Sequence, residues 1–512
     1  MQSKDIIRLK LDEIRLFLKP FLPLVNSHAV NFITDNHWDN TIPEAIKEEY
    51  LSIGFDCMLK KFWQFQDNPV PESIDTSDCK LVQFFVEAQK MCITSLPSIC
   101  LSLEDLNEKL AAMNCDEQKN LKYSRLMSEK KSYEVDILSR VVASLASVTK
   151  SLHVVDVGGG KGYLSSNLTL QHKMKVLSID SSKGNTHGAA KRLEKLEKVW
   201  NIVKFKAENP NDTRKGKHWK SNRKIPAAES NSKVDVPEKT ENPLFKQKTE
   251  FITSTTNLLS ILEEAFPGED FSCTGLVGLH TCGDLAAAHL RIFVENLKIF
   301  KFVINIGCCY HLLQEEFCED TFWNDIKSCV QDKSDPAFPM SSYLRGAKFF
   351  LTRNPRMLAC QSPERVLTER ILPTEPLFYR SLLQVLLLKK SGGIDDFPQG
   401  IVGRLATKCK NFNEYAMKAL KKLGTNYSVT DSEIEELYLS HYYHYDRIKL
   451  FYLLRVGLSP VLESFILLDR LLFLHEQGVN DSFVAQIFDP VKSPRCYAII
   501  ALRDSNFVDE LK

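Results

Sequence analysis

The chain has 512 residues, 44% of them hydrophobic and 26% charged, which excludes a disordered chain, a coiled-coil rod and a collagen-like fibre and allows two or three ordinary domains. Lys plus Arg number 66 against 65 Asp plus Glu, for a net charge of +1, so no global field advertises a nucleic-acid or membrane partner. The charged start MQSKDIIRLKLDE has no apolar signal region and the cysteines include no CxxC pair, which predicts an intracellular protein, cytoplasmic or nuclear, with reduced thiols and no membrane anchor.

Residues 1–125 read as a helical region: Ile7, Leu11, Ile14 and Leu18 recur at helical spacing, and Leu81 to Met91 repeats the pattern. Another order begins at Tyr133 to Leu145, a helix with Val135, Leu138, Val142 and Leu145 on one face. A β-branched run, Leu152 to Val157, ends at Gly158-Gly159-Gly160-Lys161-Gly162. Then follow a helix from Tyr163, a strand Lys175 to Asp180 and a helix Thr186 to Trp200. Strand, glycine turn, helix, strand, helix is the order of a parallel doubly wound α/β sheet.

Residues 202–250 are polar and read as a disordered insertion in a loop. Their basic run 214–224 holds six Lys or Arg and no acid, making it a candidate RNA contact or import signal. The alternation resumes with a candidate third strand at Glu250 to Thr253, a helix Leu258 to Phe266 and a strand Thr274 to His280. A helix from Asp284 and a strand Phe302 to Gly307 follow. Residues 311–440 are poorly periodic and read as a mixed insertion. The apolar stretch Phe451 to Leu474 carries Arg455, Glu463, Asp469 and Arg470, which argues against a membrane span. The β run Cys496 to Leu502 is placed to complete the sheet. The division expected is 1–125, then 126–310 as the first part of the α/β domain, 311–440 as the insertion, and 441–512 as a closing helix and strand.

The glycine turn carries the chemistry. Gly158, Gly160 and Gly162 follow a strand and let the backbone turn with positive φ or let a ligand approach closely, and the next helix offers free N–H groups. A dinucleotide fingerprint needs glycine where Tyr163 stands, and a phosphate-binding loop needs Ser or Thr after the Gly-Lys pair. Asp156, two residues ahead of the turn, suits a cofactor bearing positive charge. Asp180, at the tip of the second strand, is placed to accept ribose hydroxyls. Together these point to S-adenosyl-L-methionine, held by Asp156, Gly158, Gly160, Gly162 and Asp180.

Val154 to Ser165 resembles motif I of the class I methyltransferases. Gly278-Leu279-His280-Thr281-Cys282-Gly283-Asp284-Leu285, Asn305-Ile306-Gly307-Cys308-Cys309-Tyr310-His311 and Phe338-Pro339-Met340-Ser341 narrow the likeness. They resemble the family of methyltransferase-like protein 25 and its paralogue, the ribosomal RNA adenine dimethylase domain-containing protein. Asn26 to Phe32 and Leu467 to Leu472 extend the resemblance nearly end to end. It implies a Rossmann-like class I fold and methyl transfer to an acceptor such as RNA or protein, and names no substrate.

Methyl transfer is an in-line displacement in which the acceptor needs a base and both partners must be held. His280 and Asp284 are candidate bases, Asp284 alternatively capping the next helix, and Asn305 and Tyr310 are candidate acceptor contacts. Cys308, Cys309 and His311 lack metal-ligand spacing, since successive strand side chains point apart, so no metal site is assigned. Lys130, Lys131 and Glu134 precede the first strand of the sheet and read as surface residues; the class I resemblance implies the alternative, that their helix covers the methionine end of the cofactor. The competing class is a catalytically inactive methyltransferase-fold scaffold.

Overall fold

A computed structural model describes residues 3–67, 79–113, 115, 127–208, 242–317, 336–372, 375–391 and 400–503. The chain divides into two units, taken separately below. One comprises Leu101–Gly307, Gln477–Phe488 and Cys496–Lys512, the other Met1–Cys100, Cys308–Glu476 and Asp489–Arg495.

The first unit is built on an eight-stranded sheet. In chain order its strands are β1 (Cys100–Ser102), β2 (His153–Val157), β3 (Lys175–Asp180), β4 (Phe245–Thr249), β5 (Thr274–Cys282), β6 (Phe300–Cys308), β7 (Ser482–Gln486) and β8 (Tyr497–Leu502). Their spatial order is β1-β7-β8-β6-β5-β2-β3-β4. β2 runs parallel to both β3 and β5, and β8 runs antiparallel to β6 and β7. All five residues of β2 are buried, as a central parallel strand requires when helices cover both faces. Helices Glu129–Val148, Tyr163–His172, Lys183–Glu208, Leu258–Ala265 and Leu285–Glu295 alternate with the strands. This is the Rossmann-like doubly wound α/β architecture.

Topology locates the crevice. From β2 the chain steps outward through β3 to β4, then returns to β5 on the opposite side of β2. The strand order reverses there, and ligands in open α/β sheets bind at the carboxyl ends of the strands flanking such a switch point.

Several boundaries differ from those read in the sequence. The third strand is Phe245–Thr249, paired with β3, and Glu250 to Thr253 lies beyond it. The long helix continues to Glu208, so both ends of the expected 202–250 insertion are regular structure, and the basic run 214–224 lies outside the described residues. Leu101 and Ser102 already belong with the sheet, so the N-terminal helical unit stops near residue 100 rather than 125. The closing helix expected within 441–512 runs His444–Glu476 and groups with the N-terminal helices and residues 311–440, not with the sheet.

Helix His444–Glu476 is the axis of the second unit. It is long and apolar enough to cross a membrane by length and composition, and 89% of its most apolar window is buried within the protein. Three of its buried charges hydrogen-bond inside this unit. Arg455 donates to the carbonyls of Leu24, Val25 and Ser27. Asp469 accepts the N–H groups of Met340 and Ser341 at 2.7 and 3.0 Å. Glu463 accepts the Arg495 guanidinium at 2.8 Å. Pro460 cannot donate to the Val456 carbonyl, and the Ser459 hydroxyl does so instead at 2.9 Å.

Gly275 on β5 tests the sheet packing. A Cβ there would lie 2.3 Å from Cζ of Phe302, a ring with no exposed surface. Gly275→Ala is expected to lower stability by about 1–3 kcal/mol, read as a fall in urea midpoint. An unchanged midpoint would contradict this packing.

Candidate functional site

The glycine turn between β2 and helix Tyr163–His172 is folded by its neighbours. Gly158 and Gly159 both donate to the Ile179 carbonyl, at 2.9 and 3.0 Å. Gly158, Gly160 and Gly162 have φ of +72°, +57° and +66°, the left-handed region that favours glycine. Their surroundings differ. A Cβ on Gly158 would meet Leu285 Cδ2 at 3.2 Å, and one on Gly162 would meet Ala189 Cβ at 2.7 Å. Gly160 meets nothing nearer than the Gly158 carbonyl at 3.9 Å, which leaves room for a ligand. Gly159, passed over in the sequence, is the most constrained: a Cβ there would lie 2.2 Å from Ser178 Oγ. The signal was the unbroken Gly-Gly-Gly run, in which alternate residues alone were given roles.

Asp180 ends β3 and reaches back to the turn. One carboxylate oxygen accepts the Gly160 N–H at 3.0 Å; the other accepts the Ser182 N–H at 2.9 Å and the Asn185 amide at 3.0 Å. Three of roughly four acceptor positions on a carboxylate are thus filled. That leaves about one acceptor position on the carboxylate. Asp156 is only 1% exposed and accepts a hydrogen bond from Ser165. Burial pushes its carboxyl up to about 6; the Ser165 bond opposes the rise and the charge of Asp180 adds to it. Asp156 therefore lies beneath the turn, against Gly159.

Across the switch point, His280 on β5 has φ of +64°. Its Nε2 lies 3.1 Å from Glu134 Oε2. Glu134 belongs to helix Glu129–Val148 and its side chain has no exposed surface; Lys131 Nζ lies 2.8 Å from it and Lys130 Nζ 3.6 Å. The expected surface position of Glu134 is thus corrected. Burial alone would raise its carboxyl, but the hydrogen bonds and charges of His280 and Lys131 outweigh it and hold the group well below the usual range. The spacing of Lys131 and Glu134 hinted at a pair; the partner on β5 left no mark in the sequence.

Asp284 stands at the N-cap of helix Leu285–Glu295, yet its side chain makes no capping hydrogen bond, which corrects the cap reading. Its neighbour Leu285 abuts Gly158, so Asp284 borders the crevice. Asn305 is fully buried, and its amide nitrogen donates to the Ala286 carbonyl at 3.1 Å and lies 2.9 Å from His289 Nδ1, while its Oδ1 has no hydrogen-bond partner among the described residues. It ties β6 to helix Leu285–Glu295. Tyr310 belongs to the other unit, where its buried hydroxyl donates to Glu463 at 2.9 Å.

The crevice therefore joins Gly160, Asp180, His280 and Asp284, with Asp156 and Glu134 behind. Open space beside Gly160 and carboxylates on both flanks fit a cofactor that is cationic at one end and carries a ribose.

A family model described as a methyltransferase domain matches residues 130–316, a span that holds every part of this crevice. The human protein named "Probable methyltransferase-like protein 25" is 33% identical over 97% of both chains. Its mouse counterpart is 32% identical over 96% of both.

Asp156 gives a pH test. Its folded pKa lies above the ordinary aspartate value, so ionisation costs the folded state more than the unfolded one. Stability falls as pH rises from about 4 to about 6 and stays reduced above that. Asp156→Asn is expected to gain melting temperature relative to the parent at pH 8 compared with pH 4.5, measured by scanning calorimetry without ligand. An equal difference at both pH values would contradict the burial.

Proposed function

The chain belongs to the methyltransferase-like protein 25 family, and on that premise we propose that it is a methyltransferase using S-adenosyl-L-methionine. The carrying observation is the turn itself: Gly160 faces open space at a positive φ while Asp180 holds its N–H from the next strand. In this reading Gly160 lets the cofactor approach the backbone, Asp180 accepts a ribose hydroxyl, and Asp156 and Glu134 supply the negative field. When bound, the cofactor supplies a methyl group made electrophilic by its sulfonium. His280 and Asp284 border the place where an acceptor meets that methyl. The acceptor is any nucleophile with a proton to lose, on RNA or protein, that reaches this edge.

A second reading has one observation in its favour. Asn305 and Tyr310 are buried, which leaves His280 and Asp284 as the more accessible candidate catalytic groups, as a scaffold that kept the fold without the reaction would allow.

Calorimetric titration with S-adenosyl-L-methionine tests the proposal. The wild-type chain is expected to bind, and Asp180→Ala to bind about 10- to 100-fold more weakly, the worth of hydrogen bonds to a charged group at about 1.5–3 kcal/mol. Gly160→Val is expected to lose binding, because a β-branched residue is strained at this φ and fills the space beside the turn. Unchanged affinity in both variants would remove the site. Absence of wild-type binding would leave the scaffold reading.

A further inference from the structure

His280 is held in a way that a plain surface histidine does not require. Its backbone has φ of +64°, and such a conformation costs on the order of 1–3 kcal/mol unless its surroundings impose it. The surroundings are tight: the Thr281 hydroxyl donates to the Ile306 carbonyl at 3.0 Å, and a Cβ on Gly278 would lie 2.4 Å from Thr281 Cγ2. The strain presents the imidazole at the carboxyl end of β5, beside the glycine turn, with its side chain 27% exposed. One ring nitrogen, Nε2, lies 3.1 Å from a carboxylate that is itself fully buried. Lys131 already lies 2.8 Å from that carboxylate, so neutralising it does not require a strained histidine.

The geometry points to a Glu134–His280 dyad in which Glu134 is a positioning residue and His280 is the base that takes the proton of the methyl acceptor. The inference rests on the methyltransferase reading and deepens it. With Nε2–H donating to Glu134, the neutral ring is fixed in one tautomer and Nδ1 carries the lone pair. As the acceptor's lone pair forms its bond to the methyl carbon, the carbon–sulfur bond breaks and its electron pair stays on sulfur; the acceptor's proton passes to Nδ1. The resulting imidazolium is stabilised by the Glu134 carboxylate. A carboxylate that orients a histidine base and fixes its tautomer is a known device for acyl transfer, and it suits any acceptor that must lose a proton.

The test compares the wild-type chain, Glu134→Gln and His280→Gln, the last used to assign the ring signal. Histidine side-chain ¹⁵N spectra of the full chain read the tautomer without any turnover. The expected result is a single Nε2–H form in the wild type and a mixture in Glu134→Gln. In parallel, each protein is given S-adenosyl-L-methionine labelled in its methyl group, with total RNA and total protein extracted from cells lacking the chain. Glu134→Gln is expected to transfer label at least tenfold more slowly while binding the cofactor within twofold of the wild type. A fixed tautomer in Glu134→Gln, or a loss of transfer matched by an equal loss of cofactor affinity, overturns the dyad and leaves the methyltransferase reading standing. A wild type that binds the cofactor but labels neither fraction overturns that reading, and the base role with it.

Discussion

The Gly160 N–H held by the Asp180 carboxylate is the contact on which the site depends. Without it the turn after β2 would have no tie to the tip of β3 beyond the backbone bonds to Ile179. The carboxylate fixes the turn from outside while Gly159 presses on Ser178 from inside, and only glycine fits that gap. The turn is therefore rigid before any ligand arrives, which reduces the ordering cost of binding. The parallel register of β2 and β3 sets the spacing, with Val157 level with Ile179. Sheet topology thus fixes the turn through one hydrogen bond.

Charge supplies the second constraint. Asp156 and Asp180 repel one another across the turn, and Lys131 partly offsets the ionised form of Asp156. Lys131 also bonds Glu134, so one lysine serves two carboxylates, one on β2 and one on helix Glu129–Val148. A site built this way keeps negative potential in a half-buried crevice, where a cation relieves the repulsion that burial amplifies.

The sheet was legible because its central strands are β-branched runs ended by glycine or acid, and β2, β3 and β5 lie where those runs are. β4 was misplaced because Phe-Lys-Gln-Lys-Thr is an edge strand, whose charged residues look like loop. Asp180 and the glycines were legible because their roles follow from local order. Glu134 was not, since its partner His280 is 146 positions away. Asn305 and Tyr310 show the same limit in reverse: a polar residue in or just after a strand resembles a site until its partner is known. For Asn305 that partner is His289 on the preceding helix; for Tyr310 it is Glu463, 153 positions on.

If the cofactor binds at the β2–β5 switch point, amide hydrogen–deuterium exchange of the full chain, with and without saturating S-adenosyl-L-methionine, locates it directly. Slower exchange is expected in peptides covering residues 157–163, 180–186 and 279–286, with little change in helix His444–Glu476. Protection elsewhere, or none in these three segments, would contradict that placement.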